Sequence, residues 1–412
     1  MILSQEYQDV WSPLKKAFFK FIFCYFSLYI SLMFFNRLFE IPFKWVGEIV
    51  LGIEYSYNIN GFGSGDHTYA YVTLFMNIVL ALFISTLWII LDRLRKNYNN
   101  LFYWFIVVLR IYLIFFMFTY GFVKLIQLQF PYPSLTRMLQ PLGDFSPMGL
   151  AWTYLGYSKG YNLFMGIMEV MGGLLLIPKR TSTLGSFIIV GVMSHVAIMN
   201  FMFDIPVKIF SVHLTLIALF IFSTDIKRFI NVFIKNKPTE AYNYYTPIKD
   251  KTHRKSVFWL KLIFTVILIS IFLSKGIGKD RGKNSFNKPQ LYGIWEVEEY
   301  IKEGDTLLPM TTDKERWQYL IIDKKNRTTV KTMDRINHPY KFEMDTINKK
   351  AKIYPGGTKS ENYNFKYERL DNETLKLEGN LYFYNLVIKL KKKDLLLDSR
   401  DFNWINEKPF NR

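Results

Sequence analysis

Residues 100–125 read NLFYWFIVVLRIYLIFFMFTYGFVKL, and the architecture that we predict is built around them. An apolar run of this length can cross a hydrocarbon layer of about 30 Å as a helix. It nevertheless contains Arg110 and Lys124, although a charge inside that layer costs about 2.5 to 3.5 kcal/mol on insertion scales. We therefore expect both side chains to face a protein interior or a wet cavity and to have partners there.

Similar apolar runs recur up to about residue 275 and predict an α-helical membrane bundle of about seven transmembrane helices. Lysine and arginine concentrate before the first helix and after the second, fourth and sixth. By the positive-inside rule this bias predicts a cytoplasmic N-terminus in a bacterial inner (cytoplasmic) membrane and a periplasmic C-terminal domain. We place the helices at about 17–35, 69–91, 100–123, 160–177, 183–203, 207–223 and 256–274.

The composition excludes several function classes. The formal net charge is +18, but many of the basic residues lie beside apolar runs and orient helices, so we predict the lipid bilayer and no nucleic acid as a partner. Cys24 is the single cysteine, which excludes an internal disulfide, a CxxC redox pair and a multi-cysteine metal site. No metal site is predicted. The first apolar run lacks a small-residue cleavage site and is expected to stay as a membrane helix.

The C-terminal part has a different composition. After a Gly- and Lys-rich linker at 276–290, eight or nine short runs of alternating or β-rich composition follow, separated by polar turns. They predict an antiparallel meander that closes into a small barrel. Gly293-Ile294-Trp295 resembles the start of lipocalin-like barrels. The expected domains are helices 1 and 2 with a Gly-rich outer loop (1–99), a four-helix core (100–225), a basic cytoplasmic loop with helix seven (226–275), the linker, and a periplasmic lipocalin-like β domain (291–412).

The ionisable residues inside the apolar runs are the candidate site. We expect Arg110 to pair with Glu169 on the fourth helix, and a structural ion pair explains the two residues about as well as catalysis does. His195 and His213 lie on adjacent antiparallel helices. They could ligate a haem or a metal, relay protons or hydrogen-bond a quinone carbonyl, or each could be a neutral core histidine.

The predicted depth of the ionisable residues in the membrane favours a common site, since the predicted topology puts many of them in its outer half. There they could form one outward-opening polar pocket together with the loop Gly63-Ser64-Gly65-Asp66. Two simpler interpretations remain, in which Lys124 snorkels to the interface and Asp204 forms a local salt bridge with Lys208 in a tight corner. The proposed pocket residues are Lys124, His195, Asn200, Asp204, Lys208 and His213.

Five short motifs lie within roughly residues 100–225: Tyr120-Gly121-Phe122-Val123-Lys124, Gln129-Phe130-Pro131, Ser146-Pro147-Met148-Gly149-Leu150, Phe164-x-Gly166-x-x-Glu169-x-x-Gly172-Gly173 and Arg180-Thr181-x-x-Leu184-Gly185. Together they resemble the DoxX/DoxD type of integral membrane protein. Larger bacterial DoxX-like proteins of the Bacteroidetes type also look similar at Gly63-Ser64-Gly65-Asp66 and at the C-terminal residues 403–412.

The resemblance implies a quinone-facing role, because the characterised connection of the DoxX type is to a thiosulfate:quinone oxidoreductase subunit. It carries over Lys124, Glu169, Asn200, Asp204 and Lys208. The cysteine pairs of redox-associated relatives are not matched, which argues against thiol exchange by this chain.

Two functional hypotheses follow. In the first, the chain is a quinone-linked redox or redox-associated membrane component, with haem a weaker candidate cofactor than quinone. Lys124 and His213 would contact the ligand head group, Glu169 and His195 would move protons, and Arg110 would keep Glu169 ionised. In the second, the chain is a non-enzymatic membrane scaffold or an envelope or secretion assembly factor. Residues 291–412 would then bind a periplasmic protein partner.

Overall fold

The computed structural model describes residues 10–53, 65–239 and 288–411, except 325–326, 346, 357–361 and 401, together with scattered positions between 245 and 274. The predicted seventh helix, 256–274, is described at scattered positions, and these are helical. Residues 276–287 of the linker and Gly63 and Ser64 of the Gly-rich loop lie outside the described residues. The chain divides into a helical unit, residues 1–131 and 146–280, and a second unit, residues 132–145 and 281–412.

The helical unit contains long apolar helices joined by short polar connections. The first helix is followed directly by three short helical segments, Asn36–Phe39 (3₁₀), Glu40–Trp45 and Val46–Val50 (π). The helices described in this unit are α1 (Pro13–Phe35), α2 (Glu40–Trp45), α3 (Thr68–Leu91), α4 (Asn99–Leu125), α6 (Pro147–Tyr157), α7 (Lys159–Leu176), α8 (Ser182–Met202), α9 (Lys208–Ser223) and α10 (Ile226–Phe233), while α5 (Leu135–Met138) belongs to the second unit.

Four helical segments within the described ranges are long and apolar enough to cross a membrane: Pro13–Val50, Thr68–Leu91, Asn99–Leu125 and Ser182–Met202. A fifth arises if α9 and α10, which meet at a bend of 73°, are counted as one broken span. Polar residues and glycines lower the mean hydropathy of α7, so this helix is not among the segments apolar enough to cross a membrane. The prediction of an apolar helical region is thus confirmed, with four or five described segments long and apolar enough to cross a membrane, whereas seven transmembrane helices are not confirmed.

Helices α4 and α7 pack against each other in antiparallel orientation. Helix α7 also packs against α8, and α8 packs against α9. The close approach of α4 and α7 depends on glycine: a Cβ on Gly166 would lie 2.8 Å from the Gly121 carbonyl oxygen. Gly166 thus permits the close approach of the two helices. Gly173 plays the same part against Phe118, 2.9 Å from its added Cβ.

The second unit contains a closed eight-stranded antiparallel barrel. The described strands are β1 (Gly293–Lys302), β2 (Asp305–Thr306), β3 (Trp317–Lys324), β4 (Arg327–Thr332), β5 (Asn337–Asp345), β6 (Lys350–Pro355), β7 (Tyr363–Arg369), β8 (Thr374–Leu381) and β9 (Tyr384–Lys393), followed by the short helix α11 (Leu396–Ser399). Strands β1 and β3 to β9 pair in chain order, and β9 returns to pair with β1, so the predicted closure of the meander is confirmed. The two-residue β2 pairs with β1 alone among the described strands.

Large apolar side chains form the core of the barrel. Trp295 and Trp317 are both 2% exposed and belong to one cluster with Leu320, Ile353 and Ile388. The Trp295 indole N–H donates to the Leu291 carbonyl at 2.9 Å, which satisfies its polar end inside the core.

Residues 132–145 are part of the barrel unit. Leu135 on α5 packs with Ile294, Tyr319 and Ile321, which are buried neighbours outside the main barrel cluster. Tyr132 also donates a hydrogen bond to Asp398 at 2.9 Å. This segment therefore covers part of the apolar surface formed by β1 and β3.

Candidate functional site

The charged pair at the centre of the helical unit is Lys124 with Glu169. Lys124 Nζ lies 2.7 Å from Oε1 and 2.9 Å from Oε2 of Glu169, and the two side chains are 4% and 1% exposed. Helices α4 and α7 present these residues to each other because their backbones approach at Gly121 and Gly166. A buried carboxylate and a buried ammonium held this closely neutralise each other's charge.

Arg110 has a different environment from the expected one. Its Nε donates to the Leu176 carbonyl at 2.7 Å, and its Nη2 donates to the carbonyls of Leu176 and of Ile177, the latter at 2.6 Å. The guanidinium therefore caps carbonyls at the C-terminal end of α7, where a positive charge is favoured. The expected pairing with Glu169 is wrong, since Lys124 holds that carboxylate.

His213 on α9 lies in a stack of aromatic rings. Its ring is parallel to Tyr29, with centroids 3.8 Å apart and an interplanar angle of 6°, and Tyr25 stacks at 5.8 Å. Nδ1 lies 2.6 Å from the Ile209 carbonyl and Nε2 lies 2.8 Å from the Tyr25 hydroxyl. Because a carbonyl only accepts, Nδ1 carries the proton, and Nε2 of the neutral ring accepts from Tyr25. Both nitrogens are thus engaged, which disfavours axial haem ligation by His213.

A cavity of ≈ 470 Å³ opens beside this stack between α1, α3, α4 and the start of α9. Its volume lies within the range of small-molecule sites, about 300 to 1,000 Å³. The wall is aromatic and apolar, with a few polar groups among the rings. Its members include Tyr29, Asn36, Thr73, Asn77, Tyr120 and Phe210.

Two polar groups of α3 in the cavity wall have atoms without hydrogen-bond partners. The Thr73 hydroxyl and the Asn77 amide oxygen are both buried and make no hydrogen bond to any residue that the structure describes. Asn77 is 1% exposed, and its amide nitrogen lies 3.5 Å from the Tyr25 carbonyl. An unsatisfied buried polar group costs about 1–3 kcal/mol, so a ligand or water that bonds these atoms would be favoured here.

Tyr120 connects the cavity to the charged pair. Its ring lies in the cavity wall, and Lys124 Nζ is 5.7 Å from the ring centroid. The Lys124 ammonium and Glu169 therefore lie behind the aromatic wall. Both hydrogen bonds described for this ammonium go to the Glu169 carboxylate.

The rim of the cavity is built from the corner between α8 and α9. The Asp66 carboxylate accepts from the backbone N–H groups of Lys208, at 2.6 Å, and Ile209, at 3.1 Å, and so caps α9 from another part of the chain. Lys208 Nζ pairs with the exposed Asp204 at 2.9 Å. The simpler interpretation of this corner, a local salt bridge, is confirmed.

Asn200 fastens the same corner from α8. Its amide donates to Ser211 Oγ at 2.9 Å and lies 3.4 Å from the Val207 carbonyl. Asn200, Asp66, Asp204 and Lys208 are therefore brought together at one end of the helical unit, as the sequence suggested. Their visible contacts fix the backbone around the cavity, and their assignment as ligand-binding residues stays a prediction.

His195 is not brought to this group. Its side chain is exposed on α8 and does not line the cavity. Its predicted proton-transfer role with Glu169 has no supporting contact among the described residues. No group of three or more His, Cys, Asp or Glu residues within the described ranges could hold a metal ion.

The sequence-based prediction concentrated on residues 100–224 and missed three cavity residues, Tyr29, Thr73 and Asn77. It also missed Tyr25, whose hydroxyl bonds His213 beside the cavity. The signal was present: an asparagine in the middle of the apolar run of α3 is as unusual as the charges that drew attention. Tyr25 and Tyr29 are spaced four residues apart and therefore share one helical face.

Comparison with known proteins gives one informative relative. The uncharacterized protein YwoB of Bacillus subtilis is 32% identical over 132 residues, which are 32% of this chain and 83% of YwoB. The chain belongs to the YwoB family. Membership in the YwoB family assigns no chemistry, because the name of that relative states no activity. No protein-family profile matches the chain, and no solved structure matches it.

Proposed function

We propose that the chain is a membrane protein that binds a quinone, or a similar lipid-soluble head group, in the cavity between α1, α3, α4 and α9. The observation that carries the proposal is that one cavity has both aromatic walls and hydrogen-bonding groups of α3 that lack partners. The Thr73 hydroxyl can donate to a quinone carbonyl, and the Asn77 amide oxygen can accept from a quinol hydroxyl. The resemblance to DoxX proteins supports the same ligand class.

The aromatic side chains suit a flat ligand ring. Tyr29, Tyr120 and Phe210 line the cavity, and aromatic rings favour stacked or edge contacts with one another. Electron transfer would need a redox partner, so the proposed role is that of a quinone-linked component. The Lys124–Glu169 pair lies behind Tyr120 and stabilises the wall in this proposal.

The test is quinone binding by the full chain reconstituted in nanodiscs, titrated with decylubiquinone and with menadione. We expect saturable binding, weakened about twofold to tenfold by Asn77→Leu, because a lost hydrogen bond is worth about 0.5–1.5 kcal/mol. Thr73→Val should act in the same direction. Thr119→Val is the matched control, since this hydroxyl bonds its own helix at Phe115 and does not line the cavity. Absence of saturable binding by the unaltered chain would refute the proposal.

We further propose that the protein resides in a bacterial inner membrane with its N-terminus in the cytoplasm and its barrel in the periplasm. The charge bias of the connections supports this orientation. Alkaline phosphatase fused after the C-terminal residue should be active, whereas green fluorescent protein at the same position should be dark. The opposite result would reverse the orientation.

A scaffold function is the second candidate, and one observation favours it. The turn between β8 and β9 exposes three consecutive aromatic residues, among which Phe383 is 97% exposed. Such a turn suits contact with a protein partner. Affinity capture through the barrel distinguishes the hypotheses. The scaffold hypothesis would be supported by a stoichiometric partner whose binding is lost in the Phe383→Ser variant. It also requires that the Glu169→Gln and His195→Ala variants keep the function of the unaltered chain.

A further inference from the structure

A second cavity, independent of the helical unit, lies in the barrel unit. It has a volume of ≈ 700 Å³ and is formed between the segment 132–145 and strands β4 and β5. Its charged lining residues are Arg137, Lys331, Arg335 and Asp144. Among the described lining residues, three cations and one carboxylate give a formal net charge of +2.

The side chain of Lys331 has no ion-pair partner among the described residues. The residue is 8% exposed and lines the cavity, and its ammonium makes no hydrogen bond with the residues that the structure describes. Burial, together with the nearby Arg335 guanidinium, lowers the pKa of its ammonium, and Asp144 opposes that change. A buried lysine is ordinarily paired, so the missing counter-charge points to a ligand.

The other groups suit an oxyanion. The Arg137 guanidinium lies 4.1 Å from the Phe145 ring and donates to Gln140 at 2.6 Å, so its position is fixed before a ligand arrives. Thr329, on the same face of β4 as Lys331, adds a hydroxyl-bearing side chain to the lining. Arginine, lysine and hydroxyl donors around one space are the set that binds phosphate oxygens.

We propose that this cavity is an anion site that binds a phosphate group. A phosphate monoester carries about −1.5 to −2 charges at pH 7, which matches the net charge of the lining. The group could belong to free phosphate or to the head group of an anionic phospholipid, because the chemistry recognised is the same. The site forms only where the segment 132–145 packs against β4 and β5. Neither the sequence of that segment nor the sequence of β4 indicates the site by itself.

The test is calorimetric titration of the full chain with inorganic phosphate, in nanodiscs of phosphatidylcholine. Lys331→Met keeps the aliphatic stem and should weaken binding about tenfold or more, since hydrogen bonds to charged groups contribute about 1.5–3 kcal/mol. Lys331→Arg should retain most of the affinity. The matched control is Lys366→Met on β7, an exposed lysine outside the cavity, which should leave binding unchanged.

A second variant protects the test against misfolding. Arg335 is exposed, so Arg335→Gln should weaken binding without loss of structure, as checked by circular dichroism. Competition by phosphatidic acid in the nanodiscs would identify a lipid head group as the source. Phosphate binding without such competition would identify free phosphate. No phosphate binding in either nanodisc, or equal binding by Lys331→Met, Arg335→Gln and Lys366→Met, would overturn the proposal.

Discussion

Lys124 and Glu169 form a bidentate ion pair, with Nζ 2.7 Å and 2.9 Å from the two carboxylate oxygens, in a region where both side chains are almost completely buried. The pair joins α4 to α7 next to the Gly121–Gly166 contact. Its energetic role can be separated from any role in ligand chemistry, because each partner can be replaced by an apolar residue of similar size.

Breaking this pair should destabilise the protein more than removing it. Lys124→Met or Glu169→Leu alone should each cost about 3–5 kcal/mol, because the remaining charge is left buried without a partner. The double variant should recover much of that loss. Thermal denaturation in detergent measures all three. Glu48→Ala, in the exposed pair Lys44–Glu48, is the control and should cost less than about 1 kcal/mol. A double variant no more stable than the single variants would contradict this account.

Close helix contact should make Gly166 intolerant of a methyl group. Gly166→Ala would put Cβ 2.8 Å from the Gly121 carbonyl and force α4 and α7 apart, so its melting temperature should fall. Gly191→Ala on α8 meets no atom within 4 Å and should stabilise the helix by about 0.5–1 kcal/mol. Differential scanning fluorimetry compares the two. Equal shifts in the same direction would show that the contact is looser than the structure indicates.

The cap that Asp66 provides to α9 should contribute measurably. Asp66→Ala removes acceptors for the N–H groups of Lys208 and Ile209 and should cost about 0.5–2 kcal/mol. Asp66→Asn keeps an acceptor and should retain part of the effect, which separates hydrogen bonding from charge. Amide hydrogen exchange at the first turn of α9 reports the change locally. Unchanged exchange in Asp66→Ala would show that another group caps the helix.

Tyr292, in the barrel unit, should titrate late. Burial, assisted by the carboxylates of Asp398 and Asp323, raises the pKa of its hydroxyl to about 12. The neutral form is favoured in the folded state, so this contribution to stability is complete below the ordinary value of 10.0 and declines as the pH rises toward 12. Tyrosine-selective ¹³C NMR measures the titration, and Tyr292→Phe identifies the signal. A midpoint at 10 would contradict the predicted burial effect.

Local sequence patterns predicted most of the secondary structure. The apolar runs correspond to α1, α3, α4, α7, α8 and α9 within a few residues, since chain length and hydrophobicity set helix bounds in a membrane. The alternating strands of residues 291–412 correspond to the barrel, because a period of two places side chains on opposite faces. Helix α7 matches its predicted position but is less apolar than the described segments that could cross a membrane.

The partners of the buried charges could not be read in the same way. Arg110, Lys124 and Glu169 were each identified, but which of them pair depends on how α4 and α7 are rotated and shifted against each other. The glycine contact at Gly121 and Gly166 sets that register, and it puts Lys124, not Arg110, opposite Glu169.

The same distinction holds for the two cavities. Hydrophobic periodicity and charge placement act along the chain, and they are sufficient to indicate a helical membrane region followed by a closed β-barrel. Cavities arise where elements distant in the chain meet: α1 and α3 with α9, and the segment 132–145 with β4 and β5. Asn77 and Lys331 acquire their candidate roles from those encounters, because an unsatisfied polar group is defined by its neighbours and not by its own position in the sequence.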